Sequence, residues 1–352
     1  MNHVNAEASL PRSSLFSLAL CASMCGTMMF PRGDAESNGA QLAALLAAFA
    51  LLLIPVLSAD RRSVCSAGNE SAVFRILALP VSLGFIVRAA YVLSLHLDMV
   101  ELYLLRKTPA AEIAAALLLT AWFIARRGLA RLARTATLLL MLIAVPIAVL
   151  YFCGLYRSDA GEIISLAQPD MRSIPALLPS SVMCLSGFEC CVFIRHGGKD
   201  AKRGAVTGAY LTAAAMAALS YIMCAGVLTV PGAEHMHFPL IETARVINIG
   251  GVILTERFDL LLVVIRIALL TMQLSVYAHC ACAGASACSG GRIRTEKLLP
   301  WVLLVCGVLA LLVRRGGSSE MMRRVSVWAF LLTLAVSAVG RRTRDINDCQ
   351  TT

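Results

Sequence analysis

Residues 176–194 read ALLPSSVMCLSGFECCVFI. As a helix rising about 1.5 Å per residue, such a stretch crosses most of a hydrocarbon core about 30 Å thick. It also carries its own interruption. Pro179 removes a backbone donor, and Gly187 weakens any helix that runs through it. Two residues beyond Gly187 stands Glu189, the one charged residue of the stretch. A carboxylate within an apolar span is costly there and marks a functional position by default. A second stretch, 14–30, has Cys25-Gly26-Thr27 near its end and Pro31 just beyond it.

Around these two lie eight further apolar stretches, which predict ten spans at about 14–30, 39–59, 74–99, 109–125, 136–155, 176–194, 204–230, 256–287, 299–313 and 325–340. The composition agrees: 59% of residues are hydrophobic, 15% are charged and the mean hydropathy is +0.77. A soluble domain carries about a quarter charged residues. No loop has room for a separate soluble domain, so residues 1–352 read as one integral-membrane domain. The first 30 residues lack a basic segment followed by a small-residue cleavage site, so no removable signal peptide is expected.

The two interrupted spans are the first and the sixth. An odd offset of five reverses topology, so spans 1–5 and 6–10 are expected to form a 5+5 inverted repeat, an all-α membrane fold with helices one and six broken. In transporters built this way the paired breaks hold the substrate near mid-depth. Freed N–H groups and half-helix dipoles there meet an anion, and carbonyls meet a cation. The plainer alternative is that Gly, Ser and Cys let helices approach closely. The pairing of the two breaks, together with Glu189, favours a ligand site.

Lys and Arg set the orientation. With a cytoplasmic N-terminus, inner segments hold eighteen basic residues and outer segments ten, which predicts both termini inside. The last outer loop, with Arg314, Arg315, Arg323 and Arg324, runs against the bias. The net charge of +10 suits an anionic lipid surface, whereas nucleic-acid binding needs a basic stripe and these arginines are scattered among turns. Most of the thirteen cysteines fall within spans, so no disulfide framework is implied. His279, Cys280, Cys282 and Cys288 read as packing, because positions two apart on a helix face different ways. Glu234-His235-Met236-His237 is the other, weak, metal candidate. No metal and no cofactor are expected.

Other charges predicted inside or at the mouth of spans are Arg88, Arg266, Glu256 and Asp259. These are candidate charge partners: Glu189 for one arginine, Asp259 for another. Glu256 and Asp259 also read as an interfacial cap. Tyr91 is a further candidate contact, with packing or a place at the interface the plainer role for it, as for Tyr151, Tyr210, Tyr221 and Tyr277.

Taken in order, the motifs resemble a known family. Gly26-Thr27-Met28-Met29-Phe30-Pro31 is similar to an early Gly-x-x-x-x-Pro segment, and Asn38-Gly39-Ala40-Gln41 to the small polar turn after it. Lys107-Thr108-Pro109 resembles the Thr-Pro opening span four, and the run from Arg127-Gly128 to Arg134 the loop before span five. Ser186-Gly187-Phe188-Glu189 is similar to Gly-(aromatic)-Glu of span six. Phe238-Pro239-Leu240 and Thr255-Glu256-Arg257-Phe258-Asp259 resemble elements flanking the start of span eight. The family is that of the B subunits of spore germinant receptors, endospore germination permeases of the amino acid/polyamine/organocation transporter superfamily. The chain departs from it at Arg266, near which the family usually has an aromatic residue, and after Asn38-Gly39, where a Trp is usual.

The resemblance implies an amino acid permease-like fold in the inner membrane of a spore, with an A-type membrane subunit and a C-type lipoprotein subunit as partners. It implies a role in sensing a germinant, typically an amino acid, within a complex that triggers ion release. The expected ligand-binding residues are Gly26, Thr27, Tyr91, Ser186, Gly187 and Glu189. A different class remains open: an H⁺- or Na⁺-coupled amino acid or amine transporter with Glu189 as proton carrier. A ligand-free structural subunit is a third reading. No nucleotide loop or nucleophile–base arrangement argues for an enzyme.

Overall fold

The computed structural model describes residues 10–27, 39–61, 72–193, 204–247, 258–289, 293, 295–316, 321 and 323–335. Its helices are α1 (Arg12–Thr27), α2 (Ala40–Arg61), α3 (Ala72–Tyr103), α4 (Ala110–Ala125), α5 (Leu129–Arg157), α6 (Ala160–Ser165), α7 (Ile174–Cys184), α8 (Cys190–Phe193), α9 (Ala205–Leu228), α10 (Val230–His235), α11 (Pro239–Val246), α12 (Phe258–Cys288) and α13 (Thr295–Arg315). A last helix, α14, covers 323–335. No strand occurs among the described residues. Among the described residues six helices are long and apolar enough to cross a bilayer, and α4 and α7 are shorter apolar helices. The architecture is an all-α, multi-pass membrane protein.

The helix ends follow local chemistry. α4 starts behind Pro109, whose fixed φ suits a helix entry, and stops at Arg126. Gly128, at φ 86°, then turns the chain directly into α5. The span expected at 299–313 is a 21-residue helix that starts earlier, at Thr295. The connections also contain helices that polarity hides in the sequence: α6 between spans five and six, and α10 and α11 between spans seven and eight.

Helix packing carries the inverted repeat. α1 lies against α9, and α2 lies against α7. In span numbers these are contacts 1–7 and 2–6, which exchange when every span is replaced by the one five away. The same exchange relates α3–α13 to α4–α12, and it maps the central α3–α12 pair onto itself. α12 is accordingly the most enclosed long helix, whereas α5 turns Leu138, Met141, Leu142, Val145 and Phe152 outward. In a membrane protein such a surface faces lipid tails.

Candidate functional site

The span-six helix breaks where the sequence predicts. α7 closes through Leu185 N–H to Ser181 O and Ser186 N–H to Met183 O, and Ser186 Oγ adds a bond to Met183 O at 2.6 Å. The helix resumes at Cys190, whose N–H meets Gly187 O. Between the two halves Gly187 takes φ 131°, a value reserved in practice for glycine. A Cβ on Gly187 would lie 2.6 Å from the backbone of Ala22, so the break rests directly on α1.

Glu189 ties this break together. One oxygen, Oε2, accepts from the freed Gly187 N–H at 2.7 Å. The other, Oε1, accepts from Arg88 on α3 and from Tyr277 Oη on α12 at 3.2 Å. Tyr277 Oη in turn accepts from Arg88 Nη2 at 3.0 Å and from Gln273 Nε2 at 3.1 Å. Gln273 Nε2 also donates to Ala22 O of α1 at 2.9 Å. Phe330 of α14 and the Tyr277 ring each lie 5.1 Å from the Arg88 guanidinium. Arg88 and Glu189 are fully buried, so this is a neutral, hydrogen-bonded ion pair linking α1, α3, α8's approach and α12.

The first break is described on one side only. α1 is helical through Cys25 and Gly26 to Thr27, and residues 28–38, with Met28–Pro31, fall outside the described residues. A Cβ on Gly26 would lie 2.7 Å from Cys184 O, so the ends of α1 and α7 touch with no space between them. In this conformation Gly26 is therefore packed against backbone on the side where the pocket is expected. The reason is that glycines on both sides let the helices close to contact. The Thr27 side chain and Glu256 lie outside the described residues. Tyr91 is half-buried on α3, where its carbonyl accepts from Ser94 Oγ at 2.7 Å. Asp259, in the first turn of α12, makes no ion pair with Arg266.

Arg266 forms a second layer. It lies eleven residues before Tyr277, or roughly 16 Å along α12, and faces the same side of that helix. Its side chain is buried, and Nε and Nη2 have no hydrogen-bond partner among the described residues. Cys25, Cys184, Cys224, Tyr103 and His96 lie within electrostatic reach of it. The Phe238 ring covers the guanidinium at 5.8 Å. His96 Nδ1 lies 2.8 Å from Val92 O, which only accepts, so Nδ1 carries the proton and Nε2 accepts from the Cys25 thiol at 3.4 Å. Tyr103 donates to Glu242 of α11 at 2.6 Å. Thiols, a phenol and a neutral imidazole offer Arg266 no negative charge near pH 7.

Sequence reasoning singled out Arg88, Glu189 and Arg266. It left Tyr277 as packing and did not pick out Gln273 or His96. The spacing of Arg266, Gln273 and Tyr277 places them on one helical face and is the signal that finds them. Among the described residues no group of three or more His, Cys, Asp or Glu is placed to hold a metal.

Comparison with known proteins places this geometry. The fold is similar to that of a Na⁺-coupled sialic acid symporter in its substrate-bound, outward-open state. The TM-score is 0.61 and the identity 12%, covering 94% of this chain and 78% of that one. It is also similar to Mhp1, a nucleobase-cation-symport-1 family transporter, in a closed conformation with bromovinylhydantoin bound. Here the TM-score is 0.57 and the identity 14%, over 93% and 75% of the two chains. At such identities the likeness is one of fold alone. No curated protein matches the chain in sequence. The family described as spore germination protein matches residues 25–315, which include both layers and the broken span, and the chain belongs to that family of permease-like germination proteins.

Proposed function

We propose that this chain is the germinant-sensing subunit of a spore germination receptor. It acts as one membrane domain in the spore inner membrane, beside an A-type and a C-type subunit. A small molecule such as an amino acid binds where α1 and the span-six break meet, near Gly26, Thr27, Tyr91, Ser186 and Gly187. The observation that carries the reading is the interrupted span-six helix, joined to α1, α3 and α12 through the Glu189 network, in a chain of the germination family. Since Gly26 and Gly187 are packed against backbone, ligand must favour a conformation in which these ends separate. That differential affinity is what shifts the equilibrium, and partner subunits read the shift. The test is germination of spores lacking this chain against a panel of amino acids. Loss of response to one class is expected, and unchanged responses to all would remove the reading.

A coupled transporter is the second reading, supported by the symporter fold of both similar structures. Glu189 is poorly suited as its proton carrier, because its oxygens already accept from Arg88, Tyr277 and Gly187. Ligand-dependent uptake into proteoliposomes by this chain alone would favour transport.

A further inference from the structure

We infer that Arg266 is the anchor for a carboxylate-bearing ligand, held between α1, α3, α7, α9 and α12. The inference deepens the sensing reading and rests on it for the claim that the anion is a signal; the binding itself is tested separately.

The argument begins with cost. A guanidinium removed from water needs an anion or a full set of acceptors, and Arg266 has neither among the described residues. Among the described residues the groups acting on it are three thiols, a phenol and an imidazole, and the Glu242 carboxylate is taken up by that phenol, Tyr103. Arg88, equally buried on the neighbouring helix, has its carboxylate built in. The second charged layer therefore has a cation and lacks the matching anion. Nothing about packing requires arginine there, since an apolar side chain would fill the same volume without a stranded charge.

The geometry narrows the class. The two unpartnered nitrogens, Nε and Nη2, are those whose N–H bonds run parallel along one edge of the guanidinium. That edge matches the two oxygens of a carboxylate in a bidentate, charge-assisted pair. A cation or a neutral amine has nothing to accept these donors. The surroundings suit a small ligand: thiols from Cys25, Cys184 and Cys224, the His96 ring and the Phe238 face. Cys184 is the last residue of α7 and Cys25 stands one turn or less from the end of α1, so the surroundings of Arg266 include both helix ends at the break. An anion seated on Arg266 thereby pushes on the contact between Gly26 and Cys184. Phe238, immediately before α11, covers the guanidinium and stands edge-on to Tyr103 at 5.9 Å. Entry requires this ring to swing away.

The test is thermal unfolding of the purified full-length protein in detergent, at constant ionic strength held with methanesulfonate. Acetate, L-alanine, methylamine and chloride are titrated separately against wild type, Arg266→Gln and Arg266→Lys. We expect acetate and L-alanine to raise Tm in wild type, methylamine to leave it unchanged, and chloride to act more weakly than acetate. Arg266→Gln should weaken the apparent acetate affinity roughly tenfold to hundredfold, the scale of hydrogen bonds to a charged group. Arg266→Lys keeps the charge without the paired edge and should fall between. Before any titrant is added, with methanesulfonate as the background anion, Arg266→Gln should melt at or above wild type, because it removes an unpaired buried cation. Four results overturn the proposal: no response to acetate, an equal response in Arg266→Gln, a chloride response equal to that of acetate, or an Arg266→Gln that melts below wild type before any titrant is added. If acetate binds through Arg266 while spores lacking the chain germinate normally, the anchor stands and the sensing reading falls.

Discussion

Arg88 and Arg266 are both 1% exposed, and both lie in long membrane-spanning helices, α3 and α12, that pack against each other. Arg88 meets Glu189, Tyr277 and two aromatic faces. Arg266 meets one aromatic face and neutral groups. The contrast separates two uses of the same residue in a low-dielectric interior. A charge whose partner is covalently part of the chain holds the fold, because both desolvation penalties are offset within the protein. A charge whose partner is missing leaves an offset that something outside the chain can supply.

The largest effect should come from breaking the built-in pair. Glu189→Gln strands the Arg88 charge and should destabilise the protein by about 3–5 kcal/mol. Loss of membrane-inserted protein and a lower unfolding temperature would register it. Adding Arg88→Gln to Glu189→Gln should recover part of the loss, and a double variant no better than the single one would argue against mutual pairing.

Next is the break itself. Gly187→Ala forces a side chain into φ 131° and against Ala22, for a loss of about 1–3 kcal/mol. Gly26→Ala meets Cys184 O at 2.7 Å with no strained φ, and overpacking there costs about 1–3 kcal/mol. Because both glycines sit on the same contact, the two losses should be less than additive in a double variant. Simple additivity in the unfolding free energies would place them in separate contacts.

A smaller loss is expected for Tyr277→Phe, which removes the hydroxyl shared by Arg88, Gln273 and Glu189. The ion pair survives, so the loss should be about 1–2 kcal/mol. A drop as large as that of Glu189→Gln would mean that the hydroxyl, not the ion pair, holds the layer. At the far end of the series stands Arg266→Gln, with an expected change near zero or of opposite sign in the empty protein. That reversal of sign between two equally buried arginines is the sharpest form of the comparison.

Much of the architecture was legible in the chain. Continuous apolar runs announce spans because a backbone in lipid must satisfy its own hydrogen bonds, which makes each run a helix irrespective of its neighbours. Ser186-Gly187 before Glu189 announced a break for an equally local reason: the glycine alone tolerates φ 131°, and the carboxylate takes up the N–H that the break frees. The short helices α6, α10 and α11 escaped notice because they are brief and mixed in polarity. Their stability comes from packing on α9 and α12 rather than from a periodic pattern of their own.

What only the tertiary structure decided is the fate of each buried charge. From sequence, Glu189 and Arg266 look alike: a lone ionisable group in an apolar helix, each with candidate partners at unknown distance. Whether such a group is satisfied depends on which side chains from distant parts of the chain arrive beside it, as Arg88 and Tyr277 do for Glu189, whereas among the described residues no acid pairs with Arg266. Helix formation is a short-range matter of backbone and solvent, so the chain declares it directly. Charge neutralisation depends on distance through folded space, and only the packed bundle sets that distance.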